Sequence, residues 1–188
     1  FPAIRHTLAE MRTELEAVAQ LTYSSGRILD RIFARELNGF PEEEASMAKY
    51  LAADTAVRVC RRALEIFGGD GYINELGMSM YANAAAVFPI WEGTENIQLE
   101  TIGRVQLDKE KRKLPSLRVR AISPLPTDYA STMGRAAEVY DCFLNNNLKT
   151  AKLDENQTTK FALARMRSQL EAAYQLGVCH VSLGLGYR

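Results

Sequence analysis

Apolar residues in this chain recur at helical steps and almost nowhere at the two-residue alternation of a strand. Ile4, Leu8, Met11, Leu15, Val18 and Leu21 fall at spacings of four and three, which places them on one stripe of an α-helix. Glu10, Arg12, Glu14 and Glu16 lie off that stripe, so the helix is expected to bury one side and wet the other. Met47, Leu51, Val57, Cys60, Leu64 and Phe67 repeat the pattern, and Ala48, Ala52 and Ala56 beside them allow close packing of a neighbour. Two further helical patterns run from about Thr127 to Asn146 and from about Asp154 to Leu183, the second opening with Asp154 and Gln157 at capping-box spacing. The expected fold is therefore all-α, an antiparallel helix bundle with a helical C-terminal extension.

Glycine and proline divide these patterns. Pro41 followed by Glu42, Glu43 and Glu44 reads as a helix start, because proline has no N–H to leave unpaired there and carboxylates oppose the positive end of the helix dipole. Gly68-Gly69-Asp70-Gly71 stops that helix. A segment from Met78 to Ala86 leads into the apolar run Val87-Phe88-Pro89-Ile90-Trp91, which ends at Glu92-Gly93-Thr94 and reads as a turn between helices. Thr94 is then the expected N-cap of a helix with Glu95 in its first turn and Ile97, Ile102 and Val105 on its apolar side. From Arg104 to Arg120 the chain holds Arg104, Lys109, Lys111, Arg112, Lys113, Arg118 and Arg120 against Asp108 and Glu110, a local excess of five positive charges. Pro115, Pro124 and Pro126 punctuate the region, so the expected division is a bundle over 1–107, a basic linker over 108–126 and a helical extension over 127–188.

The chain's 188 residues can bury a core, and 23 Lys+Arg balance 23 Asp+Glu, which argues against disorder and against a globally basic nucleic-acid binder. No apolar run approaches the roughly 18–20 residues of a membrane span, and the start carries no signal-peptide pattern. Beginning at Phe1 rather than Met, it reads as a fragment or processed product. Cys60, Cys142 and Cys179, with only His6 and His180, supply neither a disulfide framework nor a zinc site, and reduced, buried thiols are expected.

Glu92 carries the most chemical information. A carboxylate placed directly after an apolar run and between two helices is expected to lose hydration on folding, which disfavours its charged form and suits a general base. On periodicity alone the plainer reading is an exposed carboxylate near a helix start. Gly68-Gly69-Asp70-Gly71-Tyr72 also has two readings: a left-handed helix stop, or missing Cβ atoms that let a ligand or another subunit's cofactor approach the backbone. It is not a dinucleotide fingerprint, because no strand precedes it.

Together, Glu65-Ile66-Phe67-Gly68-Gly69-Asp70-Gly71-Tyr72 and, about twenty residues on, Ile90-Trp91-Glu92-Gly93-Thr94-Glu95-Asn96-Ile97-Gln98 resemble the C-terminal helical domain of acyl-CoA dehydrogenases. Ala45-Ser46-Met47-Ala48-Lys49 resembles the start of that family's preceding helix, and the likeness covers about Phe1 to Leu107. Trp91 before the Glu and the long extension make it look closer to the AidB-like branch than to the short- and medium-chain enzymes. The resemblance implies FAD-dependent α,β-dehydrogenation of an acyl-CoA thioester within a longer parent, with Glu92 as the base and Trp91 and Gly93 beside the substrate. Thr94 and Asn96 match positions that contact FAD, and Glu65, Gly68 and Gly69 match positions that approach the FAD of a neighbouring subunit. A homo-oligomer, dimer or tetramer, is therefore part of the implication; a bacterial cytoplasm or mitochondrial matrix suits the reduced thiols expected above, and no export signal is read.

The segment Met80-Tyr81-Ala82-Asn83-Ala84-Ala85-Ala86 replaces an Arg-rich stretch of the family, and Glu65 replaces a usual Gln. The family's N-terminal helical and middle β-domains lie outside this chain, so the chain alone is not expected to turn over or retain FAD. An alternative implied by the Asn83-Ala84 region is a non-catalytic helical oligomerisation or interaction module. A nucleic-acid role for the basic stretch is disfavoured because no aromatic residue interleaves it. Acyl chain length and electron acceptor are not readable.

Overall fold

In the computed structural model, residues 1–112, 127–148 and 156–182 are described, and every regular element among them is helical. In chain order these are α1 (Pro2–Phe33), α2 (Glu42–Phe67), the short α3 (Gly69–Tyr72), a 3₁₀ turn (Asn74–Leu76), α4 (Met78–Ala85), α5 (Glu95–Lys111), α6 (Thr127–Leu148) and α7 (Gln157–Ser182).

Side-chain bonds fix the directions of the first long helices. Ser25 Oγ donates to the Glu44 carbonyl (3.0 Å), while Arg58 and Arg62 reach Glu14 at 2.8 and 3.1 Å, so α1 and α2 run antiparallel. Arg104 meets Glu42 at 2.7 Å near the start of α2, whereas Glu95 and Gln98 lie beside Tyr50 and Asp54, so α5 is antiparallel to α2. Helix α7 packs against α1, α2 and α5, and α6 packs against α7. One apolar cluster contains Leu21, Met47, Leu51, Leu99 and Ile102 together with Ala164 and Ala172 of α7. A second joins Leu107, Tyr140, Leu144 and Leu163. The last helix therefore completes the same core as the first three long ones. At their crossing Gly103 is buried, and a Cβ there would overlap the Lys160 side chain and lie 3.2 Å from the Lys160 carbonyl oxygen, which explains the glycine.

A buried ionic cluster ties these helices together. Glu43, 1% exposed, accepts from Gln106 and Lys109 and lies 3.3 Å from Arg167, itself 4% exposed. Arg167 also meets Glu171 at 2.7 Å, and the Tyr140 hydroxyl donates to Gln106 Oε1 at 3.0 Å. Burial by itself would lower the proton affinity of Arg167, but the Glu171 and Glu43 carboxylates outweigh it and hold the guanidinium above its ordinary value.

Several expectations need revision. Pro41 caps α2 from outside rather than opening its first turn, and its carbonyl accepts from the Ala45 N–H at 2.9 Å. Glu43, read from sequence only as a first-turn acid opposing the helix dipole, is the centre of the buried cluster. On α1, Ile4, Leu8 and Leu15 are exposed, and only Met11 between them is buried on that part of the stripe. Helix α5 continues through Lys111 into the expected linker, and Arg104, Lys109 and Arg112 pair with Glu42, Glu43 and Asp108. The remainder of the linker, and Asp154 of the expected capping box, lie outside the described residues. Helix α7 is instead capped by Asn156, whose Oδ1 accepts from the Thr159 N–H at 3.1 Å. Cys142 is exposed on the outer side of α6 and Cys60 is half-buried, so neither is the buried thiol expected; the Cys179 side chain is outside the described set. Among the described residues no helix is long and apolar enough to cross a membrane, and no three His, Cys, Asp or Glu side chains converge to hold a metal.

Candidate functional site

The turn between α4 and α5 is assembled from its own carbonyls. Val87 O accepts from the Ile90 and Trp91 N–H groups at 2.9 and 3.2 Å, and Pro89 O accepts from the Glu95 N–H at 3.0 Å. From α2, Lys49 Nζ donates to the Phe88 carbonyl, bridging two parts of the chain 39 residues apart. From α5, Gln98 Nε2 donates to the Gly93 carbonyl at 3.3 Å. Gly93 has φ +95°, and a Cβ on it would meet the Gln98 amide, so only glycine fits without strain. Glu92 itself has φ +51°, an uncommon left-handed conformation for a residue with a side chain. Strain of this kind persists where the surroundings over-determine it, and here the turn is pinned from both sides.

Glu92 is exposed, which corrects the expectation that folding of this chain would dehydrate it. The reason is visible around it. Ile90, Trp91 and Ile97 are also exposed, and Phe88 and Trp91 pack on each other at 6.2 Å between ring centroids without covering the carboxylate. Gly93 is half-buried, while Thr94, at the N-cap position of α5, and Asn96 are exposed polar residues.

Glu65, Gly68 and Gly69 stand elsewhere, at the far end of α2. Glu65 is exposed and pairs with Arg61 at 3.3 Å. Gly68 ends α2 with φ +60°, and Gly69 then opens α3; a Cβ on either would meet nothing within 4 Å, so backbone there is open to approach. Gly68 also lines a cleft of about 680 Å³ with Tyr72, Asn74, Ser79 and Asn83. From Lys49, which touches the Glu92 turn, to Phe67 is about 27 Å of helix, so the chain does not bring the two groups of residues together. Met80, Asn83 and Ala84 of α4 are exposed, and no residue from Gly77 to Trp91 is charged.

Behind the turn lies a set of residues whose role the sequence did not disclose. Tyr50, Asp54, Glu95 and Gln98 line a space of about 10 Å³ with Lys49 and Pro89, and Arg165 of α7 reaches Glu95 at 3.1 Å and the Tyr50 hydroxyl. Burial, then the Asp54 carboxylate, push the Tyr50 hydroxyl above its ordinary value. Lys49 and Gln98 fall within the segments that carry the resemblance, a signal of likeness but not of role. Arg165 has no local signal.

The candidate chemical groups thus stand on exposed turns of a domain whose described elements are all helical. The acyl-CoA dehydrogenase C-terminal domain matches residues 1–107, and the chain belongs to that family. It is 39% identical over 105 residues to a mitochondrial short/branched chain specific acyl-CoA dehydrogenase of Bos taurus, covering 55% of this chain and 23% of that protein. The fold is shared with the structure titled Bd2924 apo-form (TM-score 0.66, 16% identity, 98% of this chain and 34% of that one). It is shared also with Caenorhabditis elegans ACDH-11 in complex with C11-CoA (TM-score 0.62, 21% identity, 94% and 36%). The chain thus spans about a quarter of the curated relative's length.

Proposed function

We propose that this chain is the C-terminal part of an FAD-dependent acyl-CoA dehydrogenase in which Glu92 removes the Cα proton of an acyl-CoA thioester. The observation that carries the reading is the turn itself: an exposed carboxylate on a left-handed backbone, clamped by Lys49 and Gln98 and flanked by uncovered apolar side chains. Such a carboxylate becomes an effective base once neighbouring segments exclude water from it. Trp91 and Gly93 would border the thioester. The residues present fit the polar edge of the cofactor: Thr94 and Asn96 offer a hydroxyl and an amide, and Gly68 and Gly69 leave backbone open. FAD, when bound, supplies the acceptor for the hydride leaving Cβ.

The separation of Glu65, Gly68 and Gly69 from the Glu92 turn supports assigning the two groups to different cofactor molecules, one of them held with a neighbouring subunit, and hence a homo-oligomer. Glu65, an acceptor-only carboxylate, would act there through its partner Arg61 rather than by donating. Trp91 and the helices after residue 107 support placement near the AidB-like branch. Relatives named as mitochondrial and Bacillus subtilis enzymes suit a matrix or bacterial cytoplasmic setting for the parent.

A parent carrying this chain is expected to purify yellow and to lose its flavin absorbance on anaerobic addition of an acyl-CoA, measured by visible spectroscopy. The uncharged surface from Gly77 to Trp91 favours a second reading, a non-catalytic helical module. A stable oligomer that binds no flavin and leaves acyl-CoA unchanged would establish that reading and end the first.

A further inference from the structure

We propose that α7, which lies beyond the residues matched to the family, supports the turn that carries Glu92, and that Arg165 is its positioning residue. Glu95 is the hinge of the argument. Its backbone N–H closes the turn on Pro89 O at 3.0 Å, and its Oε1 accepts from Arg165 Nη2 at 3.1 Å. The Arg165 guanidinium also acts on the hydroxyl of Tyr50, a residue 7% exposed and part of the core on α2. One guanidinium from α7 thereby fixes the first residue of α5 against α2, directly behind the turn.

The chemistry explains why a cation is placed there. Glu95 lies three residues after Glu92, and a free carboxylate at a helix start is drawn to the unpaired N–H groups of the first turn. In that position it would compete with the carbonyls that shape the turn and set a second negative charge beside Glu92. Arg165 holds Glu95 aside and neutralises it, while Glu92 has no ion-pair partner among the described residues. A half-exposed ion pair adds little to global stability, so its loss is expected to act locally.

Trp91 is the chain's single tryptophan and sits next to Glu92, which gives a readout that needs neither flavin nor substrate. It is 50% exposed, so complete release of the turn can raise its collisional quenching by acrylamide about twofold at most. In the chain as it stands, Arg165→Met is expected to raise the quenching constant toward that limit and red-shift the emission, with helical circular dichroism unchanged. Arg165→Lys is expected to restore most of the difference. Glu95→Gln, which leaves α7 untouched, is expected to reproduce it and decides the matter if Arg165→Met fails to fold. Unchanged Trp91 quenching in Glu95→Gln, or in a folded Arg165→Met, overturns the proposal. The catalytic meaning of this support rests on the assignment of Glu92, but the fluorescence result does not: flavin reduction in the parent tests that assignment separately.

Discussion

Replacing Arg167 with alanine is expected to destabilise the chain by about 3–5 kcal/mol, because it removes the buried cation that Glu171 and Glu43 share and leaves Glu43 with Lys109 alone. Glu43 and Glu171, both buried, would then face each other across the space left by the guanidinium. For a chain of this size the change corresponds to a fall in melting temperature of roughly 6–20 °C, measured by circular dichroism at 222 nm. The contrast with Arg104→Ala is diagnostic. Its partner Glu42 is exposed, and that substitution is expected to cost less than about 1 kcal/mol. A small loss for Arg167→Ala would mean that water reaches Glu43, and that the cluster is not the bond between α7 and the other helices.

Glu92→Gln in the flavin-loaded parent is expected to reduce acyl-CoA dehydrogenation by about 10²–10⁴-fold, the usual contribution of a positioned base. In this chain by itself, where the side chain is exposed, the same substitution is expected to leave the melting temperature unchanged, which separates the loss from misfolding of the helical domain. The left-handed backbone supplies a sharper control. Glu92→Gly removes the carboxylate and also the conformational penalty at φ +51°, so it is expected to lower activity while raising stability by up to about 1 kcal/mol. Stopped-flow flavin reduction and thermal melts on the same preparations give both numbers. Full activity in Glu92→Gln would remove this residue from the proton step and leave the turn with another purpose.

The helices were legible because 3.6-residue periodicity is a local property. The Met47 to Phe67 pattern, the stop at Gly68, and Thr94 before α5 could all be read without knowing what packs where. Glu43 was not legible. Its acidic neighbours and its place after Pro41 describe a solvated helix start, and the groups that bury it, Gln106, Lys109 and Arg167, are more than sixty residues away. Periodicity likewise marks a helix from about Asp154 to Leu183 but cannot say that Ala164 and Ala172 enter the same core as Leu21 and Met47. For Glu92 the difficulty was of another kind. The apolar run before it signals a dry setting, yet dryness is a property of whatever lies over the turn, and among the described residues nothing covers the carboxylate. Ile4, Leu8 and Leu15 of α1, exposed beside the buried Met11, make a related point, since a stripe announces that something will be covered without saying how far the cover extends.

Because α7 fills the core from the other side of residues 113–126, the covalent link there does not define where the particle divides. A peptide bond hydrolysed in that interval would leave two pieces held by the Leu163–Leu107 and Arg167–Glu43 contacts, migrating as a single species until denatured. Sequence borders and mechanical borders differ in this chain, and any shortened version cut at residue 107 would lack Tyr140, Leu144, Leu163, Ala164 and Ala172 from its own interior.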